Sequence, residues 1–179
     1  FKNMDAIEIK KVTLNDIEAL QKTGRQTFYE TFAAVNTEEN MTQYLEEKFS
    51  IEKLTAELND ENSLFYFAVS DNTIIGYLKL NMGPSQTELQ DDKAIEIERI
   101  YVQQAYQGRK AGQLLYEKAM QIAEQREASY VWLGVWEENR RAISFYNKNG
   151  FVEFDRHIFK LGKEEQTDLL MKKVLIPNQ

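Results

Sequence analysis

Two segments of the sequence carry residue types that could together hold a long anionic ligand. Residues 97–112, IERIYVQQAYQGRKAG, form a strand pattern that runs into a glycine-containing turn and opens a helix. Backbone N–H groups at the start of a helix bind phosphates well. Residues 132–151, WLGVWEENRRAISFYNKNGF, form a second strand–helix unit that adds the amide of Asn139 and the phenol of Tyr146. An amide and a phenol beside a phosphate site indicate a ligand longer than a bare phosphate.

The elements that position these segments follow from hydrophobic periodicity and turn residues. Helices are predicted from Thr13 to about residue 32, in a short segment after Asn36-Thr37, at 51–58, from the turn 103–109 to about 127, and from about Asn139 to Asn149. Strands are predicted at 6–12, 64–69, 73–82, 94–102, 130–135, 151–161 and 166–175. This order predicts a mixed α/β sheet with helices on both faces. Without internal repeats or a linker, the sequence predicts one domain over 1–179.

Composition excludes several functional classes. The chain of 179 residues has 0 Cys, which excludes disulfides, thiolate metal sites and a cysteine nucleophile. The single His157 cannot support a His-rich metal site, so no metal is expected. A net charge of −7 disfavours non-specific binding to nucleic acid and suits a small cationic substrate. No membrane-length apolar run and no apolar segment near residue 1 are visible, so we expect a cytoplasmic protein without a membrane partner.

The two segments resemble the acetyl-coenzyme A site of the GNAT superfamily of N-acetyltransferases, whose fold is a mixed sheet that splays at its centre. Family members bind the pyrophosphate with a turn of the form Q/R-x-x-G-x-G/A. The corresponding residues here are Gln107, Gly108, Arg109, Lys110, Ala111 and Gly112. Lys110 stands where the family usually has Gly. A left-handed backbone at Lys110 would cost about 1–2 kcal/mol, whereas a helical one would cost nothing and let its ammonium face the phosphates.

The resemblance also implies roles around the thioester. The helix pattern N-x-x-A-x-x-F-Y-x-K-x-G-F implies that Asn139 contacts the pantetheine arm and that Tyr146 protonates the departing thiolate. It implies that two parallel strands, ending in Val102 and Val135, separate to form a slot. Within that slot, backbone groups of the first strand would pair with the pantetheine amides and polarise the thioester carbonyl; these groups belong to Ile100, Tyr101 and Val102. Because the chain lacks Cys, direct attack of an amine on the thioester is favoured.

The group that deprotonates the amine is the least determined part of the site. A primary amine of pKa about 10.4 needs about 4–5 kcal/mol to lose its proton at pH 7. Glu98, on the strand of the slot, is the first candidate for the base, with an ion pair to Lys or Arg as the alternative. Glu96 would share its face on a regular strand and could bind a second ammonium. His157 is the other candidate that titrates near neutral pH, with an ordinary surface histidine as the alternative.

A narrower resemblance concerns the acceptor. The segments IERIYV, WLGVWEEN, FYNKNGF and EEQTDLLM are similar to the PaiA-type spermidine/spermine N-acetyltransferases, with Gln166-Thr167-Asp168 and Met171 as a distinctive C-terminal feature. This resemblance implies acetylation of a polyamine. The early helix would then form the amine side of the slot, with Glu30 either an ammonium partner or a solvated helix residue.

Three alternatives stay open from the sequence. The acceptor could be a protein or peptide amine, the chain could bind acetyl-coenzyme A as a non-catalytic regulator, or it could be an unrelated α/β domain. A homodimer is compatible with the superfamily resemblance, and no feature of the sequence demonstrates one.

Overall fold

The computed structural model describes residues 6–175 and places seven strands in one open sheet. The strands are β1 (Ile7–Lys11), β2 (Ser63–Ser70), β3 (Thr73–Met82), β4 (Ala94–Val102), β5 (Tyr130–Trp136), β6 (Val152–Leu161) and β7 (Glu164–Val174). Their order across the sheet is β1-β2-β3-β4-β5-β7-β6. Within the described residues, β4 and β5 form the parallel pair and the other neighbours are antiparallel. The predicted mixed α/β fold is confirmed, and residues 1–5 and 176–179 of the predicted domain lie outside the described residues.

Residues 6–175 form five α-helices, which cover the two faces of the sheet. They are α1 (Ile17–Phe32), α2 (Glu38–Lys48), α3 (Ile51–Asn59), α4 (Ala111–Gln125) and α5 (Arg140–Lys148). Alternation along β3 decides which face each helix covers, because Tyr77 packs against the α1–α3 side and Leu78 and Leu80 pack against the α4 side. The described residues therefore form a hydrophobic core on each face of the sheet, together with a smaller third cluster of Ala94, Trp132 and Leu170.

Local sequence signals explain most of the element boundaries. The Thr13–Asp16 capping box opens a single 3-10 turn before α1, and Thr37 and Ser50 cap α2 and α3 through their hydroxyl oxygens. Asp71 and Asn72 both have positive φ, 50° and 62°, as the tight turn between β2 and β3 requires.

The centre of the sheet is split. β4 and β5 pair only over Ala94–Ile97 and Tyr130–Leu133, although both strands continue beyond these residues. Next to the end of the pairing, the register between β3 and β4 shifts so that Glu98 is an extra residue on β4, a β-bulge. The predicted separation of the two parallel strands is confirmed, and it leaves the β5-facing backbone edge of β4 without a strand partner beyond Ile97.

Within residues 6–175, no helix is long and apolar enough to cross a membrane.

Candidate active site

A cavity of about 1000 Å³ follows the split between β4 and β5 and opens on both faces of the sheet. From the sequence-predicted site it is lined by Glu96, Glu98, Ile100, Tyr101, Val102, Gln107, Gly108, Lys110, Ala111, Gly112, Asn139 and Tyr146. Two predicted residues, Arg109 and Glu30, are not among the lining residues. The structure thus brings together most of a set that is scattered over 50 residues of sequence.

The turn before α4 presents backbone donors to one end of the cavity. The first intrahelical bond of α4 runs from the N–H of Leu114 to the carbonyl of Lys110, so the N–H groups of Ala111 and Gly112 have no intrahelical partner. The side-chain amide of Gln107 donates to the carbonyl of Val102 at 3.3 Å and accepts from Arg141 of α5. These bonds fix the turn to both strand–helix units, and the free N–H groups fit a phosphate ligand.

Lys110 adopts the costly one of its two predicted conformations. Its φ is 68° and its ψ is 7°, which is the left-handed region that disfavours residues with a Cβ. The side chain is exposed and makes no hydrogen bond or ion pair within residues 6–175, so its ammonium is available to an anion. Arg109 instead lies with its guanidinium 5.4 Å from the ring centroid of Tyr106, outside the cavity lining.

The helix α5 supplies the predicted amide and phenol. Asn139 caps α5, with its side-chain oxygen accepting from the N–H of Ala142 at 3.2 Å, and this leaves its NH₂ group for a ligand. Tyr146 is buried against the rings of Phe145 and Phe151 and lines the cavity. Burial, and to a smaller extent the neighbouring Tyr116, raises the pKa of Tyr146 above its usual value. The phenol therefore keeps its proton at neutral pH, and the raised pKa makes it a weaker acid than an exposed tyrosine.

Glu98 belongs to a buried ion cluster. Lys79 of β3 bonds both Glu57 of α3 and, at 2.8 Å, Glu98. Arg99 lies 3.2 Å from Glu98 and 3.6 Å from Glu57. Burial alone would raise the pKa of Glu98, but Arg99 and Lys79 outweigh it and hold that pKa at about 2.

This pairing revises the interpretation of Glu98 as the base. Because Arg99 and Lys79 hold the pKa of Glu98 below its usual value, Glu98 is a weaker base toward an amine proton than an ordinary glutamate. The alternative given by the sequence, an ion pair on the strand, describes the observed geometry.

Glu96 is buried and engaged by the protein. Its carboxylate accepts from the Asn81 amide at 2.9 Å and from both the N–H and the hydroxyl of Thr87. Burial raises its pKa, and these hydrogen bonds oppose the rise. The strand is not regular, because Glu98 is a bulge, but Asn81 donates to both carboxylates and so gathers them.

Glu30 lies away from the cavity. It is exposed on α1 and accepts a hydrogen bond from the backbone N–H of Gln104 at 3.1 Å. The part of α1 that lines the cavity is Phe28, Thr31 and Phe32. The expected contact of Glu30 with an ammonium is therefore not supported by its position.

Asp168, which the sequence analysis gave no chemical role, lies in the cavity. It sits on β7 opposite Trp136 of β5 and His157 of β6. Its Oδ2 is 3.7 Å from the point where a Cβ on Gly134 would stand, and it makes no hydrogen bond or ion pair within the described residues. Burial, with a smaller contribution from the Glu88 carboxylate, raises the pKa of Asp168 to about 6.

His157 is held by carboxylates on both ring nitrogens. Nδ1 lies 2.7 Å from Glu88 and Nε2 lies 3.1 Å from Asp155. The bond to Glu88 is the main reason that the pKa of His157 is raised. Two carboxylate partners favour the imidazolium, so this ring is poorly suited to accept another proton.

Comparison with known proteins assigns the chain to a family. The family model described as "Acetyltransferase (GNAT) family" matches residues 25–151, and the chain belongs to this family. It is 38% identical over 173 residues to an uncharacterised N-acetyltransferase from the pepI 3′ region of Lactobacillus delbrueckii subsp. lactis, covering 97% of this chain and 100% of that one. It is 30% identical over 172 residues to spermidine N(1)-acetyltransferase of Thermoplasma acidophilum, covering 94% and 97% of the two chains.

A solved structure gives the same result. The PaiA N-acetyltransferase from Thermoplasma acidophilum, in complex with coenzyme A, superimposes with a TM-score of 0.78 at 29% identity over 95% of this chain and 99% of that one. The protein is thus a GNAT N-acetyltransferase that uses acetyl-coenzyme A. The residues around the split fit this co-substrate, because they offer free N–H groups at α4 and an unpaired backbone edge along β4.

Proposed function

We propose that this enzyme acetylates a small polycationic amine, a polyamine such as spermidine or spermine. The observation that carries the proposal is the carboxylate of Asp168, which lies in the cavity without a partner within the described residues. Lys79 and Arg99 are paired with Glu57 and Glu98, so this group of four is formally neutral. Asp60, Glu88, Glu96 and Asp168 remain as lining carboxylates that no Lys or Arg pairs within the described residues, and of these only Asp168 has no hydrogen-bond or ion-pair partner there.

A relative supports the same acceptor. The Thermoplasma protein that is 30% identical over nearly the whole chain carries the name spermidine N(1)-acetyltransferase. A flexible chain with two or more ammonium groups could place one of them beside Asp168 and another against a second carboxylate that lines the cavity. Charge complementarity of this kind gives specificity for polyamines over single amines.

We assign the chemical roles as follows. Acetyl-coenzyme A supplies the activated acetyl group. The N–H groups that open α4, with Gln107 and Lys110, hold the phosphates, and Asn139 holds the pantetheine arm. The unpaired edge of β4 from Ile100 to Val102 orients the thioester and stabilises negative charge on its oxygen. Tyr146 donates its proton to the leaving sulfur.

A second acceptor class is favoured by a separate observation. Lys48, Lys53 and Lys160 also line the cavity. These cations would suit an acceptor that carries carboxylates beside its amine, such as an acidic peptide.

The test is a panel of acceptors at saturating acetyl-coenzyme A, with release of the coenzyme A thiol as the readout. The panel contains spermidine, spermine, a short diamine, a monoamine of matched length and an acidic peptide. We expect kcat/KM for the polyamines to exceed that for the monoamine by about tenfold or more, since one additional desolvated ion pair is worth about 1.4 kcal/mol or more. Equal values for polyamine and monoamine would refute the role of the carboxylates. Preference for the peptide would establish the second class, and coenzyme A binding without turnover would indicate a regulator.

A further inference from the structure

We propose that Asp168 is the general base that takes the proton from the acceptor ammonium. The inference rests on the proposed function in one respect, that the acceptor is an amine, and it does not depend on which amine. Three independent features support the assignment: the place of the carboxylate at the split, the absence of a protein partner for it, and its position on the face opposite Tyr146.

The carboxylate stands where the strands part. Gly134 directly follows Leu133, the last residue of β5 that pairs with β4. The Oδ2 atom of Asp168 is 3.7 Å from the position of a Cβ on Gly134. Gly134 is exposed, and because it has no side chain, nothing on β5 at this point screens the carboxylate from the split.

Asp168 is also the cavity carboxylate to which no other described group of the protein is hydrogen-bonded or ion-paired. Of the other acidic residues that line the cavity, Glu57 and Glu98 are paired with Lys79 and Arg99. The remaining three accept hydrogen bonds from serine, threonine, amide or imidazole groups, and they are Asp60, Glu88 and Glu96. Within residues 6–175, Asp168 alone among these lining carboxylates has no hydrogen-bond or ion-pair partner. Asp168 is half-buried, so its carboxylate is reachable from the cavity and is free to bind an ammonium ligand.

The surroundings tune Asp168 toward proton transfer. The titratable groups that face it are Glu88 from the loop between β3 and β4, His157 from β6 and Tyr44 from α2. Burial and Glu88 place the pKa of the carboxyl at about 6, so it is ionised above neutral pH yet is a far stronger base than Glu98. A base whose pKa lies near the working pH is the most effective one.

The acid and the base approach from opposite faces. Tyr146, a residue of α5, packs in the hydrophobic core on the α4 side of the sheet. Leu170, two residues from Asp168 on β7 and hence on the same face, packs with Trp132 and Ala94 in the cluster on the other side. The split between β4 and β5 lies between the two groups, as direct transfer across it requires.

The proton balance is as follows. The ammonium gives one proton to Asp168, and the free amine forms the C–N bond to the thioester carbonyl. The tetrahedral adduct then breaks its C–S bond, the thiolate takes the Tyr146 proton, and the nitrogen loses its second proton, which restores the phenol. Asp168 releases its proton to solvent, so one amide, one thiol and one proton leave the enzyme.

The experiment measures kcat/KM against pH, between about pH 5 and 9, with whichever amine the wild-type enzyme acetylates best. The wild type should lose activity below about pH 6, with the acid limb set by Asp168. Asp168→Asn should lower kcat by about 100-fold or more near pH 7.5 and abolish that limb, while coenzyme A affinity stays unchanged. The loss should shrink for an acceptor of pKa near about 7, because such an amine is already neutral. Asp168→Glu should recover part of the rate.

Companion variants separate Asp168 from its neighbours. Glu88→Gln should move the acid limb to lower pH, because the Glu88 charge raises the pKa of Asp168. His157→Asn should leave an acid limb in place, whereas loss of the limb in this variant would assign it to His157 and overturn the proposal. Asp155→Asn, which removes a nearby exposed carboxylate, should leave kcat unchanged. An Asp168→Asn enzyme with near wild-type kcat would also overturn the proposal.

A stability measurement controls for folding. A carboxyl whose pKa is raised in the folded state destabilises the protein above that pKa and not below its unfolded value, so Asp168→Asn should melt higher than wild type near pH 8 and equally near about pH 4. A variant that melts lower at pH 8 would indicate a structural role instead. If the wild type acetylates only a peptide, the polyamine proposal fails and the Asp168 test proceeds with that peptide. If it acetylates no amine at all, both fail.

Discussion

Replacing Lys110 with Gly should make the protein more stable and lower its affinity for coenzyme A. At φ 68° the Cβ of Lys110 costs about 1–2 kcal/mol, which Gly removes. The added freedom of Gly in the unfolded chain returns about 0.5–1 kcal/mol of that gain. The net stabilisation of about 0.5–1 kcal/mol corresponds to a melting temperature about 1–4 °C higher for a chain of this size.

Affinity should change in the other direction. The Lys110 ammonium is exposed and unpaired within the described residues, so an ion pair with a phosphate would be worth about 0.2–1 kcal/mol. Its loss should raise the Kd of coenzyme A by about 1.4- to fivefold, and added salt should shrink the difference. Thermal unfolding and titration calorimetry on the same preparations measure both effects.

Glu127 provides the matched control. It is a non-glycine residue with φ 56° just beyond α4, and it is not among the residues lining the cavity. Glu127→Gly should raise the melting temperature by a similar amount with no change in Kd. A Lys110→Gly protein that melts lower than wild type would refute the strain argument, and one that binds coenzyme A as tightly as wild type would refute the charge argument.

Three further changes test other parts of the site. Tyr146→Phe keeps the ring packing and should lower kcat by about 100-fold or more with an unchanged coenzyme A Kd; a wild-type kcat in steady-state assays would remove the phenol from the chemistry. Glu98→Gln should cost about 3 kcal/mol of unfolding free energy near pH 7, because a pKa held at about 2 instead of 4.5 stabilises the fold above pH 4.5. That deficit should vanish as the pH falls toward 2, and a pH-independent deficit in urea titrations would contradict the linkage. Gly76→Ala should lower the free energy of unfolding by about 2 kcal/mol or more, since the new Cβ would stand 2.5 Å from the Tyr101 carbonyl oxygen. An unaltered urea midpoint would show that the backbone of β4 can move to relieve this contact at little cost.

Local patterns predicted the fold well. Hairpin turns, helix caps and apolar periodicity are determined by residues near in sequence, and the motif around Tyr146 lies within one helix. The bulge at Glu98 could not be predicted, because it depends on how β3 and β4 pair. The proposed role of Asp168 could not be predicted for a related reason. It depends on Gly134 and Glu88, which come from two other elements. The position of Glu30 outside the cavity lining could not be predicted, because helix periodicity gives the face of a residue but not which segment of the helix lies at the cavity.

The ion cluster explains how β4 can stand apart from β5. Beyond Ile97, β4 has lost its neighbour on one side, and the bulge at Glu98 interrupts its ladder with β3 on the other. A strand whose backbone pairing is lost or interrupted on both sides needs side-chain contacts to fix its position. Lys79 and Arg99 provide them by joining Glu98 to Glu57 of α3. A buried network of this kind fixes geometry more than it adds stability. The Glu98 carboxylate on β4 therefore serves to hold β4 in position. We accordingly assign the proton transfer to Asp168 on β7.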